Sequence, residues 1–147
     1  MNLDEAELAA LVGHRFPGGR YRVAHWENWL LTDCTGSEQL PSPLVHPVAL
    51  FHLSILGSRI SIQELFAILR AASQGGVSLV GYDWELLQPL REEVDYICEG
   101  AITEAQRHAG TEGRASDAIT FLIEVFDDDA RPVARVTNRW RIYRDAA

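Results

Sequence analysis

Hydrophobic and polar residues alternate along the second half of the chain with the two-residue period of half-buried β-strands. This period predicts four consecutive strands at 77–88, 95–108, 117–127 and 132–143. The tripeptide Asp127-Asp128-Asp129 lies between the last two strands and predicts a hairpin turn. An earlier segment, 21–33, is rich in aromatic and β-favouring residues and predicts the first strand of the same sheet.

The first half of the chain carries three helical patterns. Leucines at helical spacing predict a short helix at 4–12, and a long apolar segment at 44–56 predicts a second one. The clearest helix is predicted at 58–73, because Ser61 and Glu64 have the spacing of a capping box and apolar residues follow at helical intervals. Glycines at 75 and 76 are expected to end it. A loop is predicted at 34–43.

The order of these elements predicts an α+β fold. One strand, a helical region and four antiparallel strands are expected to form a sheet of five or six strands, wrapped around a long central helix. No repeat or linker interrupts the pattern, so residues 1–147 are predicted to form a single domain.

Composition excludes several classes of protein. The chain has 147 residues, of which 47% are hydrophobic, which excludes a disordered chain. A net charge of −8 argues against a general nucleic-acid binder, and no apolar run approaches the ~20 residues that span a bilayer. The acidic start does not resemble a secretory signal. Cys34 and Cys98 lack zinc-site spacing and suit a reducing cytoplasm, so we expect no metal and a cytoplasmic protein.

Three sequence fragments, in this order, resemble MaoC-like hydratases and dehydratases, which have the hot-dog fold. PLVHP at 43–47 is similar to the family's entry to its helical region. GYDWELLQPLR at 81–91 resembles the strand that ends in the family's RPL or RPV turn, and DDDARPVARVTNRWR at 127–141 resembles its final hairpin. The resemblance extends over about 21–144 and implies a single hot-dog domain.

The resemblance implies chemistry on acyl thioesters. The family dehydrates 3-hydroxyacyl thioesters, or hydrates enoyl thioesters, on coenzyme A or acyl-carrier protein. Its signature is an Asp followed five positions later by a His, and the pair shares one water as general acid and base. In this chain Asp33 occupies the acidic position, but Glu38 stands where the His is expected, and the next histidine is His46. Asp33 and His46 are therefore the candidate catalytic pair.

The resemblance also implies binding groups around the reacting carbon. Backbone amides of Gly57 and Ser58, expected at the start of the central helix, are candidates to polarise the thioester carbonyl. The acyl tunnel is expected to include Phe51, Tyr82 and Trp84. Further candidates are Glu64, as the acid of a hot-dog thioesterase, and two arginines of a basic last strand, as contacts to a coenzyme A phosphate: Arg135 and Arg139.

Each candidate also has a structural interpretation. Asp33 suits a turn, His46 a helix terminus, Gly57 a helix-entry turn, and Glu64 the capping box with Ser61. Exposed strand arginines commonly serve solubility.

The resemblance favours a divergent hydratase or dehydratase, a hydro-lyase acting on an enoyl or 3-hydroxyacyl thioester. Two alternatives stay open: a non-catalytic hot-dog subunit that pairs with a catalytic relative, and an acyl thioesterase. No cofactor is expected beyond the coenzyme A or phosphopantetheine of the substrate. We expect a homodimer or a heteromer with another hot-dog subunit, because an isolated sheet leaves an edge exposed.

Overall fold

The computed structural model describes residues 2–71, 76–110 and 115–144. Its centre is one antiparallel sheet of five strands in the order β1-β3-β4-β5-β2. The strands are β1 Gly19–Arg22, β2 Val77–Leu86, β3 Asp95–His108, β4 Ser116–Phe126 and β5 Pro132–Tyr143. The α+β class and the five-stranded antiparallel sheet are thus confirmed.

Within the described residues, four short helices accompany the sheet: α1 Glu5–Ala10, α2 His25–Cys34, α3 Ala49–Gly57 and α4 Ile62–Ile68. A capping box begins α1, in which Asp4 and Glu7 bind each other's backbone amides. None of the helices in the described residues is long and apolar enough to cross a membrane.

The strand predicted at 21–33 is wrong. Only Gly19–Arg22 is a strand, and His25–Cys34 forms α2. The buried side of α2 carries the polar residues Asn28 and Thr32, four positions apart, whereas Trp26 and Trp29 are exposed. The aromatic residues that suggested a strand therefore face outward, and the helical period lies in polar residues that a hydrophobicity pattern does not register.

The central helical layer is shorter than the sequence suggests. It consists of α3, with nine residues, and α4, with seven. Arg59, between them, and Arg70, after α4, take left-handed φ angles of 58° and 47°, which interrupt helical geometry. The predicted capping box of Ser61 and Glu64 is confirmed. The predicted helix end at 74–76 and turn at 109–114 fall largely outside the described residues.

The core lies between one face of the sheet and α3. Leu50 and Leu53 of α3 are fully buried against alternate residues of the strands, among them Ile102 and Ile123. Such alternation follows from the two-residue period of a strand, which turns every second side chain toward the helices.

A buried ion cluster closes one end of the sheet. The carboxylate of Asp117 on β4 accepts hydrogen bonds from Arg107 and from Arg144, and both Asp117 and Arg144 are almost fully buried. Arg144 also donates to the carbonyl oxygens of Leu69 and Arg70, at 2.8 Å each. The cluster therefore fastens the end of α4 to the sheet.

Candidate functional site

An apolar cavity lies between the two central helices and the sheet. Its volume is about 290 Å³, and its wall includes four aromatic rings, those of Phe51, Tyr82, Phe121 and Trp140. Aliphatic side chains of α3, α4, β4 and the α3–α4 connection complete most of the wall. Among the described residues, no carboxylate and no histidine lines the cavity. Its chemistry therefore suits an apolar chain, and it supplies no acid or base of its own.

Asn138 of β5 is a polar exception in this wall. Its side chain is on the helix-facing side of the strand, in register with Tyr82 on β2 and Phe121 on β4. The residue is 1% exposed, and its Nδ2 has no hydrogen-bond partner among the described residues. Sequence analysis missed it, although the strand's period places Asn138 inward, between Val136 and Trp140.

The predicted tunnel residues differ in their positions. Phe51 and Tyr82 both line the cavity and contact each other edge to face, with ring centroids 5.8 Å apart. Burial raises the pKa of Tyr82, which keeps its hydroxyl protonated and able to donate a hydrogen bond. Trp84 has the same sheet face but is 40% exposed and is not part of the cavity wall.

No hydrogen bond or ion pair joins Asp33 to His46 in the described structure. Asp33 is exposed in the last turn of α2, and its side chain has no hydrogen bond or ion pair with any described residue. His46 is half-buried, and its Nδ1 accepts the backbone N–H of Val48 at 3.1 Å. In the neutral ring the proton is then on Nε2, which can donate but cannot accept. This geometry suits a turn-capping histidine better than a general base.

The two candidate carbonyl-binding amides are at the end of a helix. Gly57 is the last residue of α3, and the N–H of Ser58 donates to the Ser54 carbonyl at 3.1 Å. The helix start lies further on, at Ser61, the N-cap of α4. A Cβ on Gly57 would collide with Cys98 of β3, so this glycine permits close approach of α3 to the sheet.

Glu64 is occupied by its capping role. Its Oε2 accepts the backbone N–H of Ser61 at 2.7 Å and the Ser61 hydroxyl at 2.8 Å. The first of these bonds holds the pKa of Glu64 below its ordinary value, so the group is an exposed, ionised carboxylate. It is not part of the cavity wall.

Arg135 and Arg139 are on the outer face of the sheet, opposite to the cavity. Arg135 forms an ion pair with Glu85 at 3.2 Å, and Arg139 pairs with Asp83. Both guanidinium groups are therefore already matched by carboxylates of β2, and both are about half exposed.

Neither cysteine forms a disulfide, and Cys98 is a buried thiol. Cys98 is buried in β3, and burial raises its pKa to about 12, so it stays a thiol. Cys34 is exposed on α2. No group of three His, Cys, Asp or Glu side chains that could hold a metal ion occurs within the described ranges.

Sequence analysis also missed a polar cluster around Glu92. The Glu92 side chain is 8% exposed and accepts hydrogen bonds from Asn28 at 3.2 Å and from Ser42 at 3.3 Å, and its carboxylate lies 3.0 Å from Nδ1 of His25. Asn28 in turn accepts the backbone N–H of His46. The cluster joins α2 to the loop before α3. It consists of polar residues that are far apart in the sequence, so the hydrophobic pattern does not predict it.

Glu92 is expected to make stability depend on pH. Burial of the carboxylate disfavours ionisation, but hydrogen bonds from Asn28 and His25 outweigh it and hold the pKa of Glu92 below its ordinary value of 4.5. The stabilisation is thus present above about pH 4.5 and is lost as the pH falls through the lower, folded-state pKa. We expect Glu92→Gln to cost roughly 1 kcal/mol at pH 7 and progressively less below pH 4.5, measured by urea unfolding. Glu38→Gln, at an exposed residue without partners in the described chain, should show no such trend; equal trends would contradict the assignment.

Comparison with known proteins relates this architecture to solved structures. No protein-family model matches the chain, and no curated protein matches its sequence. The HadBC complex of Mycobacterium tuberculosis, a 3R-hydroxyacyl-ACP dehydratase, matches with a TM-score of 0.69 at 10% identity, covering 96% of this chain and 99% of that one. The ChsH1-ChsH2 complex of the same organism matches with a TM-score of 0.70 at 11% identity, covering 97% and 92%.

A MaoC-like dehydratase from Rhodospirillum rubrum is similar over its whole length. Its identity is 22% and its TM-score 0.52, with coverage of 99% of this chain and 100% of that one. Similarity at these identities establishes the fold and leaves the activity open. The chain therefore has the hot-dog fold, and its predicted resemblance to MaoC-like proteins is confirmed at the level of architecture.

Proposed function

We propose that this chain is the acyl-binding, non-catalytic subunit of a hot-dog hydratase or dehydratase that acts on enoyl or 3-hydroxyacyl thioesters. The observation that carries the proposal is the separation of the cavity from the candidate acids and bases. The cavity suits an acyl chain, while Asp33 and Glu64 are exposed outside it and the Nδ1 lone pair of His46 is already used.

Pairing with a catalytic hot-dog relative would supply the missing acid and base. Strand β2 is at one edge of the sheet, so one side of its backbone has no neighbouring strand in the described structure. Apolar side chains along and just beyond this strand are exposed: Leu79, Val80, Trp84, Leu86 and Leu87. Such a surface suits another hot-dog subunit, and two of the structural neighbours are complexes. A second copy of this chain is the other candidate partner.

Acyl binding is expected to be visible through tryptophan fluorescence. Trp140 lines the cavity and is 8% exposed, whereas the other three tryptophans are 40% exposed or more. Titration with decanoyl-coenzyme A should therefore change the emission of a buried indole. We expect Ile55→Phe, which fills the cavity from α3, to weaken binding at least about tenfold. Leu56→Phe, at the next residue but on the exposed side of α3, should bind as the wild type does.

An activity assay separates this role from the alternatives. Purified chain would be given enoyl and 3-hydroxyacyl coenzyme A thioesters, with enoyl absorbance and thiol release followed together. Binding without turnover is expected, unchanged by Asp33→Asn or His46→Ala. Enoyl loss that either substitution abolishes would overturn the non-catalytic role in favour of a divergent hydratase. Thiol release would instead indicate a thioesterase and direct attention to Glu64.

A further inference from the structure

Asn138 places a polar group deep in a mostly apolar pocket, whose other hydroxyl near the helices, that of Ser58, already donates to the Ile55 carbonyl. All the other inward-facing residues of β5 between Ala134 and Ile142 are apolar, and the neighbours of Asn138 in register are Tyr82 and Phe121. A carboxamide that is 1% exposed and lacks a partner for Nδ2 destabilises a fold, because it has lost its hydrogen bonds to water without replacement. A leucine of similar size would carry no such penalty at this position. The part of the chain that the structure describes therefore gives the Nδ2 amide of Asn138 no hydrogen-bonding role.

The amide lies where a cavity-bound ligand would meet it. Asn138 lines the cavity, and its Nδ2 is a donor that requires an acceptor oxygen. Tyr82 is directly opposite Asn138 on the adjacent strand, so the two side chains are neighbours on one face. The Tyr82 hydroxyl forms no hydrogen bond with a described residue, and it also lines the cavity. The cavity wall therefore contains two donors, on adjacent strands, that have no partner among the described residues.

We infer that the cavity selects acyl chains that carry an oxygen substituent, keto or hydroxyl, and that Asn138 donates a hydrogen bond to this oxygen. This inference rests on the proposed function, since it specifies the acyl group that the subunit binds. The remaining cavity wall would contact the hydrocarbon part of the chain. Asn138 is thus a specificity-determining residue, with Tyr82 as the second donor.

The test compares matched ligands. Decanoyl-coenzyme A would be titrated beside a series of ten-carbon thioesters, each with one keto or hydroxyl group at a different carbon, from carbon 3 outward. At least one oxygenated ligand is expected to bind about three- to tenfold more tightly than decanoyl-coenzyme A, the effect of one added hydrogen bond. The carbon whose oxygen gives the tightest binding indicates how far along the bound acyl chain Asn138 lies.

Substitution of Asn138 tests whether this residue causes the preference for oxygenated ligands. Asn138→Leu should abolish the preference, so that the oxygenated ligand binds no more tightly than decanoyl-coenzyme A, with a melting temperature no lower than that of the wild type. Asn138→Ala serves the same purpose should the leucine variant not fold. Thr137→Val, at the neighbouring outward-facing residue, should retain the preference. Binding of decanoyl-coenzyme A with no preference in the wild type, or a preference that survives both Asn138 variants, would overturn the inference alone. Failure of every thioester to bind the wild type would overturn the proposed function and the inference together.

Discussion

Replacing Asp117 by asparagine is expected to lower the free energy of unfolding by about 3–5 kcal/mol. Asp117 is fully buried and receives hydrogen bonds from Arg107 and Arg144. Arg144 is 4% exposed, so loss of the carboxylate would leave a guanidinium charge buried without a counter-ion. The cost therefore comes from the stranded charge and exceeds the value of the hydrogen bonds themselves. Urea denaturation followed by circular dichroism would measure it.

The matched control is an exposed ion pair on the same sheet. Asp83 pairs with Arg139, and their side chains are 66% and 46% exposed. Because solvent screens such pairs, Asp83→Asn should cost at most about 1 kcal/mol. A similar loss in both variants would show that the Asp117 cluster is solvated in solution and does not fasten α4 to the sheet.

Gly57→Ala is expected to cost about 1–3 kcal/mol through overpacking. A methyl group there would lie 2.9 Å from the Cβ of Cys98 and would also collide with its sulfur. Since α3 and β3 are both parts of the core, neither can withdraw without disturbing other contacts. Gly81→Ala is the control, because a Cβ at Gly81 meets no atom within 4 Å. Urea midpoints of the two variants would measure the difference.

A double mutant tests whether the loss of stability in Gly57→Ala comes from the collision with Cys98. Cys98→Ala removes the sulfur from the closest contact, so it should recover part of the loss caused by Gly57→Ala, with a coupling free energy of at least about 0.5 kcal/mol. Additive losses would contradict the collision. The alanine variant also keeps its backbone N–H, so an amide contribution of Gly57 to ligand binding would persist in whatever fraction stays folded.

Four of the five strands were predictable because apolar and polar residues alternate along most of their length. Asp95–His108 and Pro132–Tyr143 are the bounds of β3 and β5 both in the prediction and in the structure. In both strands most inward residues are apolar and most outward residues are polar, with Asn138 as the inward exception in β5 and Arg107 in β3, a pattern that long-range packing reinforces. The Ser61 and Glu64 capping box was predictable for a similar reason, since every group that forms it lies within four residues.

Helix α2 could not be predicted from hydrophobicity, because its buried face is held by hydrogen bonds. Asn28 donates to the Leu44 carbonyl and to Glu92, and the Thr32 hydroxyl donates to the Asn28 carbonyl. Two of these partners are distant in sequence, so nothing local indicates which side of the segment faces inward. This error also placed Asp33 after a strand, whereas it lies at the end of a helix.

The site was predictable in its apolar part alone. Tyr82 could be assigned to the inner face from the alternation of its strand, and Phe51 lies in the apolar helical segment that packs against this face. The same alternation also assigned Trp84, which lies beyond the cavity wall.

The relation of Asp33 to His46 depends on the path of a loop between them, which spacing does not determine. Asn138 was missed although the alternation of β5 predicts that it faces inward, together with the apolar residues Val136 and Trp140. A polar residue at an inward position could have identified it as a candidate.

Helix α4 owes its order to a strand that follows it by more than sixty residues. Seven residues make fewer than two turns, too few for a helix to persist alone in water. The carbonyls of Leu69 and Arg70 obtain their donors from Arg144, at the far end of β5. That end of α4 therefore has its hydrogen-bond partner only when the β4–β5 hairpin is in its native register, although α4 comes earlier in the chain. The α4 wall of the cavity is thus coupled in stability to the β4–β5 hairpin, so a change that displaces Arg144 is expected to loosen that wall as well.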